Sequence, residues 1–243
     1  MASCLQETEW NLDSPAKEVV WKPVSLTHVV YPEGDFVGKC FAWFSLLPVF
    51  IIVSFVTLIA FRRELHTITF FGGLLVNEIV NWVLKNIIRQ PRPCREHEVV
   101  FSEYGMPSNH SQFMWFFGVY LVLFVYIRIQ YSTSSTCSLV DLAWKHVVAV
   151  GALLVAAIVT YSRVYLHYHT NRQVYSGAVV GSLVAVLWFI FTQLVLTPLF
   201  PVVVSWPLSE RLMLRDSTLI PNVLWFEYAS ARAEARARQR KLQ

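Results

Sequence analysis

Cys40-Phe41-Ala42-Trp43-Phe44-Ser45-Leu46-Leu47-Pro48-Val49-Phe50-Ile51-Ile52-Val53-Ser54-Phe55-Val56-Thr57-Leu58-Ile59-Ala60-Phe61 is a run of 22 residues without a charge. A helix of that length crosses about 30 Å of hydrocarbon. Arg62-Arg63-Glu64 ends the run, and residues 65–85 form a second, less apolar candidate that holds Asn77, Glu78 and Asn81 and leads to Lys85. Residues 111–127, 146–161 and 174–197 supply three more. The expected fold is all-α, a polytopic transmembrane helix bundle of five to six spans with its functional groups at one membrane face. The apolar run continues to Leu208 past Pro198, Pro201 and Pro207, so a sixth crossing within residues 199–227 is left open.

Composition agrees with a bilayer. Of 243 residues, 55% are hydrophobic and 15% charged, against about 25% charged in soluble domains. The net charge of +4 is divided between loops and a basic tail and carries no nucleic-acid meaning. Cys4, Cys40, Cys94 and Cys137 form no CxxC pair and imply neither a zinc site nor a disulfide framework. Three regions are expected: a polar, irregular lead-in over 1–39, a membrane domain over 40–208, and a basic tail over 209–243. No cleavable signal peptide is expected, because the first thirty residues carry Glu7, Glu9, Asp13 and Glu18 and no continuous apolar segment.

Three polar stretches interrupt the apolar runs. One is Lys85-Asn86-Ile87-Ile88-Arg89-Gln90-Pro91-Arg92-Pro93, the second is Pro107-Ser108-Asn109-His110, and the third is Tyr161-Ser162-Arg163-Val164-Tyr165-Leu166-His167-Tyr168-His169-Thr170-Asn171-Arg172-Gln173. Five spans put the loops after spans two and four on the N-terminal side, so all three stretches face one compartment. The opposite side holds Arg62, Arg63, Arg128, Lys145, Arg211, Arg215 and the basic tail. Positive residues favour the cytoplasm, which places the tail there and the three stretches in a lumen or outside.

Phosphoryl transfer needs cations for the nonbridging oxygens, an in-line nucleophile and an acid for the leaving oxygen. Lys85, Arg92 and Arg163 can supply the charge, arginine's planar fork suiting two phosphate oxygens at once. The carboxylates Glu96, Glu98 and Glu103 are scattered, so no metal or other cofactor is expected. Pro107-Ser108-Asn109-His110 opens an apolar helix, where free N–H groups and the positive dipole end favour an oxyanion, and Ser108 adds a hydroxyl. Metal-free chemistry of this kind runs through phosphohistidine, with one imidazole attacking and another carrying protons. His110 and His169 fit these jobs.

Taken singly, each stretch has a bland reading. Lysine or arginine at a span's end usually anchors it to the interface. Asn77, Asn81 and Lys85 share one helical face, and the asparagines serve equally well as inter-helix hydrogen bonds. His66, His97, His146 and His167 are read as interfacial. The sequon Asn109-His110-Ser111 sits at a helix start and is read as a chance match.

Lys85-(six residues)-Arg92-Pro93, Pro107-Ser108-Asn109-His110 and Ser162-Arg163-(five residues)-His169 together resemble the three signatures of the type 2 phosphatidic acid phosphatase superfamily. The likeness narrows to its dolichyl diphosphatase branch through stretches such as Arg63-Glu64-Leu65-His66-Thr67 and Leu219-Ile220-Pro221-Asn222-Val223-Leu224-Trp225-Phe226-Glu227-Tyr228. The resemblance implies a membrane enzyme that takes one phosphate from a polyprenyl (dolichyl) diphosphate at the lumenal face of the endoplasmic reticulum, recycling the carrier used in protein N-glycosylation. It makes His169 the nucleophile and His110 the acid and then base. Lys85, Arg92, Ser108, Asn109 and Arg163 would hold the phosphate.

Two positions depart from the superfamily pattern. Asn109 stands where glycine or serine is usual, and Gln173 stands where an aspartate would orient the nucleophile. An amide can orient the ring but brings no charge. Two other readings stay open: a phosphatase of other lipid phosphates, because the three stretches read only the phosphate, and a non-catalytic lipid-phosphate binding or transport protein, which Gln173 favours. Oligomeric state is not legible.

Overall fold

The computed structural model describes residues 21–24, 29–93, 104–128, 139–220 and 223–242. Glu96, Glu98, Glu103, Cys4, Cys94, Cys137, His97, Asn222 and the acidic stretch before residue 21 lie outside them. Among the described residues, an antiparallel hairpin, β1 (Trp21–Val24) and β2 (Val29–Pro32), precedes nine α-helices. The helices are α1 (Phe36–Phe44), α2 (Leu47–Arg62), α3 (Leu65–Ile88), α4 (Asn109–Leu123), α5 (Leu139–Tyr165), α6 (Asn171–Phe191), α7 (Thr197–Val204), α8 (Pro207–Arg211) and α9 (Val223–Leu242). Single π-helical turns extend α4 through Arg128 and join α6 to α7.

Among the described residues, five continuous helical segments are long and apolar enough to cross a membrane: Phe36–Arg62, Leu65–Ile88, Asn109–Arg128, Leu142–Tyr165 and Asn171–Val204. Residues 199–227 hold only the end of the fifth, the five-residue α8 and the start of α9, so the described residues contain no sixth span. The lead-in, expected to be irregular, instead contains the hairpin and the start of α1. Short paired strands leave little mark in a sequence interrupted by Pro23 and Pro32.

Lipid is as apolar as leucine, so packing and small residues hold such a bundle together. Its core is largely aromatic: Phe55, Phe70, Phe113, Phe116, Tyr120 and Phe189 pack with Leu74, Met114, Ala156, Val159 and Ala185. Large apolar side chains such as Val53, Ile79, Val147 and Leu187 point outward. Helix α6 lies almost on the backbone of α4. A Cβ on Gly177 would come within 2.7 Å of the Ser108 carbonyl oxygen, and one on Gly181 within 2.2 Å of that of Gln112. These glycines set the start of α6 against the start of α4.

At the opposite end of the bundle, the segment after α8 folds back onto the turn between α2 and α3. Leu65 N–H donates to the Arg215 carbonyl at 3.0 Å, and Arg215 N–H to that of Arg63 at 2.9 Å. Glu227 pairs with Arg62 and Arg215. His66 lies 3.2 Å from the Thr218 hydroxyl and 2.8 Å from the Arg128 guanidinium, which makes it part of this clasp.

Candidate active site

Local sequence rules put each functional side chain in place. Thr170-Asn171-Arg172-Gln173 is a capping box: the Thr170 hydroxyl accepts from Gln173 N–H at 3.4 Å, and Gln173 Oε1 accepts from Thr170 N–H at 3.2 Å. Because Gln173 turns back toward the helix start, its Oε1 also comes 3.1 Å from His169 Nδ1. Gln173 Nε2 donates to the Pro91 carbonyl at 2.9 Å. A carbonyl only accepts, so the amide nitrogen must face Pro91 and the amide oxygen must face His169. The imidazole therefore carries its proton on Nδ1, and Nε2 keeps a bare lone pair.

Gln173 ties all three polar stretches together. Its side chain holds Pro91 of the first and His169 of the third, while its backbone carbonyl accepts from Ser108 N–H of the second at 3.0 Å. Gly105 leaves room for this: a Cβ there would lie 2.9 Å from Gln173 Nε2 and 3.1 Å from Arg92 Cγ.

Arg163 lies in the last turn of α5, is 5% exposed and has its guanidinium carbon 4.1 Å from the centre of the Tyr168 ring. Its Nε and Nη1 are buried and have no hydrogen-bond partner among the described residues. The fully buried Ser108 hydroxyl is in the same condition. Buried donors are normally satisfied, so three unfilled groups at the end of the bundle that holds His169 are groups an incoming acceptor would satisfy.

His169 is 4% exposed. Burial drives its pKa from 6.5 to about 3, with the Arg163, Arg92 and Lys85 charges pressing the same way and the Gln173 hydrogen bond opposing them. The surrounding cations keep the imidazole neutral, and their mutual repulsion is relieved when an anion enters. The fields of Arg163, His169 and Lys85 also reach His110, in the first turn of α4. The structure thus brings His169, His110, Lys85, Arg92, Ser108, Arg163 and Gln173 to one end of the bundle. Asn109 lies at the same end, but its amide is within reach of Glu78 on α3, and its Oδ1 has no partner among the described residues.

Asn77 and Asn81 belong to the scaffold. Gln112 Nε2 donates to Asn77 Oδ1 at 3.0 Å, and Asn81 Nδ2 donates to Gln112 Oε1 at 2.8 Å, which locks α3 to α4 just below His110. Sequence reading missed Gln112, although a glutamine two residues past the motif histidine in an apolar helix was a visible signal. Ser111 does a similar job, lying 3.2 Å from the Thr160 hydroxyl and donating to the Val174 carbonyl at 2.7 Å. Among the described residues, no three His, Cys, Asp or Glu side chains converge as metal ligands.

The signature of the PAP2 superfamily matches residues 66–196, from the clasp histidine to the end of the π-helical turn after α6. The chain belongs to the PAP2 superfamily. All the site residues above fall inside that PAP2 stretch. Among curated proteins, the chain is 60% identical to Dolichyldiphosphatase 1 of Homo sapiens over 223 residues, covering 91% of this chain and 93% of the relative. It is 42% identical to Lipid phosphate phosphatase gamma of Arabidopsis thaliana, covering 87% and 92%. The fold is shared with the transmembrane PAP2 type phosphatidylglycerolphosphate phosphatase of Bacillus subtilis, with a TM-score of 0.52, 24% identity, and 67% of this chain and 80% of that one aligned. As a PAP2 protein with such relatives, the chain is a membrane-embedded hydrolase of lipid phosphates.

Proposed function

We propose that this protein hydrolyses dolichyl diphosphate to dolichyl phosphate and orthophosphate through a phosphohistidine on His169. The observation that carries the mechanism is the bare Nε2 of His169 beside the unfilled donors of Arg163. The substrate reading is supported by the 60% identity to Dolichyldiphosphatase 1.

The terminal phosphoryl group sits among Lys85, Arg92, Arg163 and Ser108, with Asn109 at its edge. His169 Nε2 attacks phosphorus, and the bond from phosphorus to the bridging oxygen breaks. Dolichyl phosphate leaves with a proton from His110. Water then attacks the phosphohistidine while His110 takes its proton, the N–P bond breaks, and orthophosphate departs. Gln173 holds Nδ1–H throughout, so Nε2 stays aligned in both steps. The trio of fixed cations supplies charge stabilisation as the three equatorial oxygens pass through the transition state.

In this reading the site faces the lumen of the endoplasmic reticulum, with residues 1–39 on the same side and the basic tail 209–243 in the cytoplasm. The product returns to the carrier pool for N-glycosylation. Likeness to Lipid phosphate phosphatase gamma favours a second reading with a broader lipid range. Purified protein incubated with dolichyl diphosphate and phosphatidate, in EDTA, separates the two. Fast phosphate release from the diphosphate alone supports the first, and equal rates support the second. Release that requires added magnesium contradicts the mechanism.

A further inference from the structure

The chain turns back on itself between Arg163 and His169. His167 takes the left-handed conformation at φ 57°, as chains often do where a helix ends. Tyr168 N–H and His169 N–H then both donate to the Arg163 carbonyl, at 3.0 and 3.1 Å. The same turn lays the Tyr168 ring against the Arg163 guanidinium, 4.1 Å from carbon to ring centre, inside the roughly 6 Å range of a cation–π contact. The ring is itself fixed from behind. Tyr168, 7% exposed, packs in one apolar cluster with Leu166, with Val29 of β2, and with Ala42 and Leu46 of the first span. Tyr31, Phe41 and Tyr165 close around that cluster, and the Tyr165 hydroxyl donates to Asp35, just before α1, at 2.9 Å.

A guanidinium stacked on a ring spends its flat face and keeps its in-plane N–H donors. Nε and Nη1 of Arg163 are such donors, buried and without a hydrogen-bond partner among the described residues. A carboxylate in the ring's place would occupy them and repel a phosphate. We infer that Tyr168 is a positioning residue of the phosphate site, its ring face holding the Arg163 guanidinium in place before the anion arrives. This rests on the reading of Arg163 as a holder of the phosphate. The N-terminal hairpin and α1 then have a task, because they are the wall against which the ring is set. A neutral aromatic face does for Arg163 what the neutral Gln173 amide does for His169: it fixes the group without adding charge.

Fluorinated phenylalanines at position 168 of the full chain test this, because they keep the ring's shape while draining negative charge from its face. The probe is inorganic phosphate, as a competitive inhibitor of dolichyl diphosphate hydrolysis. Tyr168→Leu removes the face and is expected to weaken that inhibition about tenfold, the value of a desolvated cation–π contact. Tyr168→Phe should restore it. From phenylalanine through its mono-, di- and trifluoro forms, inhibition should weaken step by step toward the level of the leucine variant, a gradation that packing alone does not produce. If Tyr168→Leu fails to fold, the fluorine series decides alone. An inhibition constant that stays flat along the series, or Tyr168→Phe as impaired as Tyr168→Leu, overturns the inference. Unchanged phosphate inhibition in Arg163→Lys would instead overturn the reading of Arg163 itself.

Discussion

Gln173 Oε1 lies 3.1 Å from His169 Nδ1, and the other end of the same amide is fixed by the Pro91 carbonyl at 2.9 Å. A carboxylate in this place would also orient the ring, but it would draw a proton onto it. The amide selects the tautomer without adding charge, which suits an imidazole already kept neutral by burial and three neighbouring cations. Gln173→Leu keeps the volume and removes the link. The Pro91 carbonyl and Thr170 N–H lose their partner, but both residues are exposed and water can replace it, so each bond lost costs about 0.5–1.5 kcal/mol. Loss of the tautomer lock should lower kcat by about a hundredfold or more. Thermal unfolding and turnover of the purified variant check both halves.

Arg163 should resist conservative replacement. Lysine keeps the charge but not the planar fork that presents Nε and Nη1 together. Arg163→Lys is expected to weaken competitive inhibition by inorganic phosphate about tenfold, roughly the value of one charge-assisted hydrogen bond. An unchanged inhibition constant would show that those unfilled donors do not meet the phosphate.

The depressed pKa of His169 has a sign that can be tested. With the folded imidazole near 3 and the free one at 6.5, the unfolded chain binds the extra proton between those values. Stability from this group is fully present above pH 6.5 and is lost as pH falls toward 3. The difference in melting temperature between wild type and His169→Gln should therefore shrink or reverse as pH is lowered through that window. A difference independent of pH would mean that His169 is not buried in its neutral form.

Packing of α6 on α4 predicts a contrast between two glycines. Gly181→Ala places a methyl 2.2 Å from the Gln112 carbonyl oxygen, whereas Gly151→Ala meets nothing within 4 Å. The first should reduce the yield of monodisperse protein, overpacking costing about 1–3 kcal/mol or more. The second should be neutral or stabilising, by up to about 1 kcal/mol of helix propensity. Size-exclusion profiles of the two variants decide it.

Much of this was legible before any coordinates. Uncharged runs gave the spans, because a bilayer demands length and apolarity with little ambiguity. Lys85, Arg92, His110, Arg163 and His169 stood out because cations and imidazoles are costly beside hydrocarbon and were concentrated in three gaps. The supports were harder to see. Gln112 reads as one more polar residue until Asn77 and Asn81 are found around it. Gln173 was noticed as a substitution, while the Thr170–Gln173 capping box that aims it went unread. The β1–β2 hairpin is too short and too proline-marked to show a period.

The central claim is a covalent bond between phosphorus and His169, and trapping that bond is its most direct test. Dolichyl diphosphate labelled in the terminal phosphate is mixed with wild type, His110→Ala and His169→Ala, quenched in alkali and digested. The account predicts an alkali-stable, acid-labile label on the peptide carrying His169, accumulating in His110→Ala where water is no longer activated and absent from His169→Ala. Label on another residue, or full turnover by His169→Ala, would contradict it.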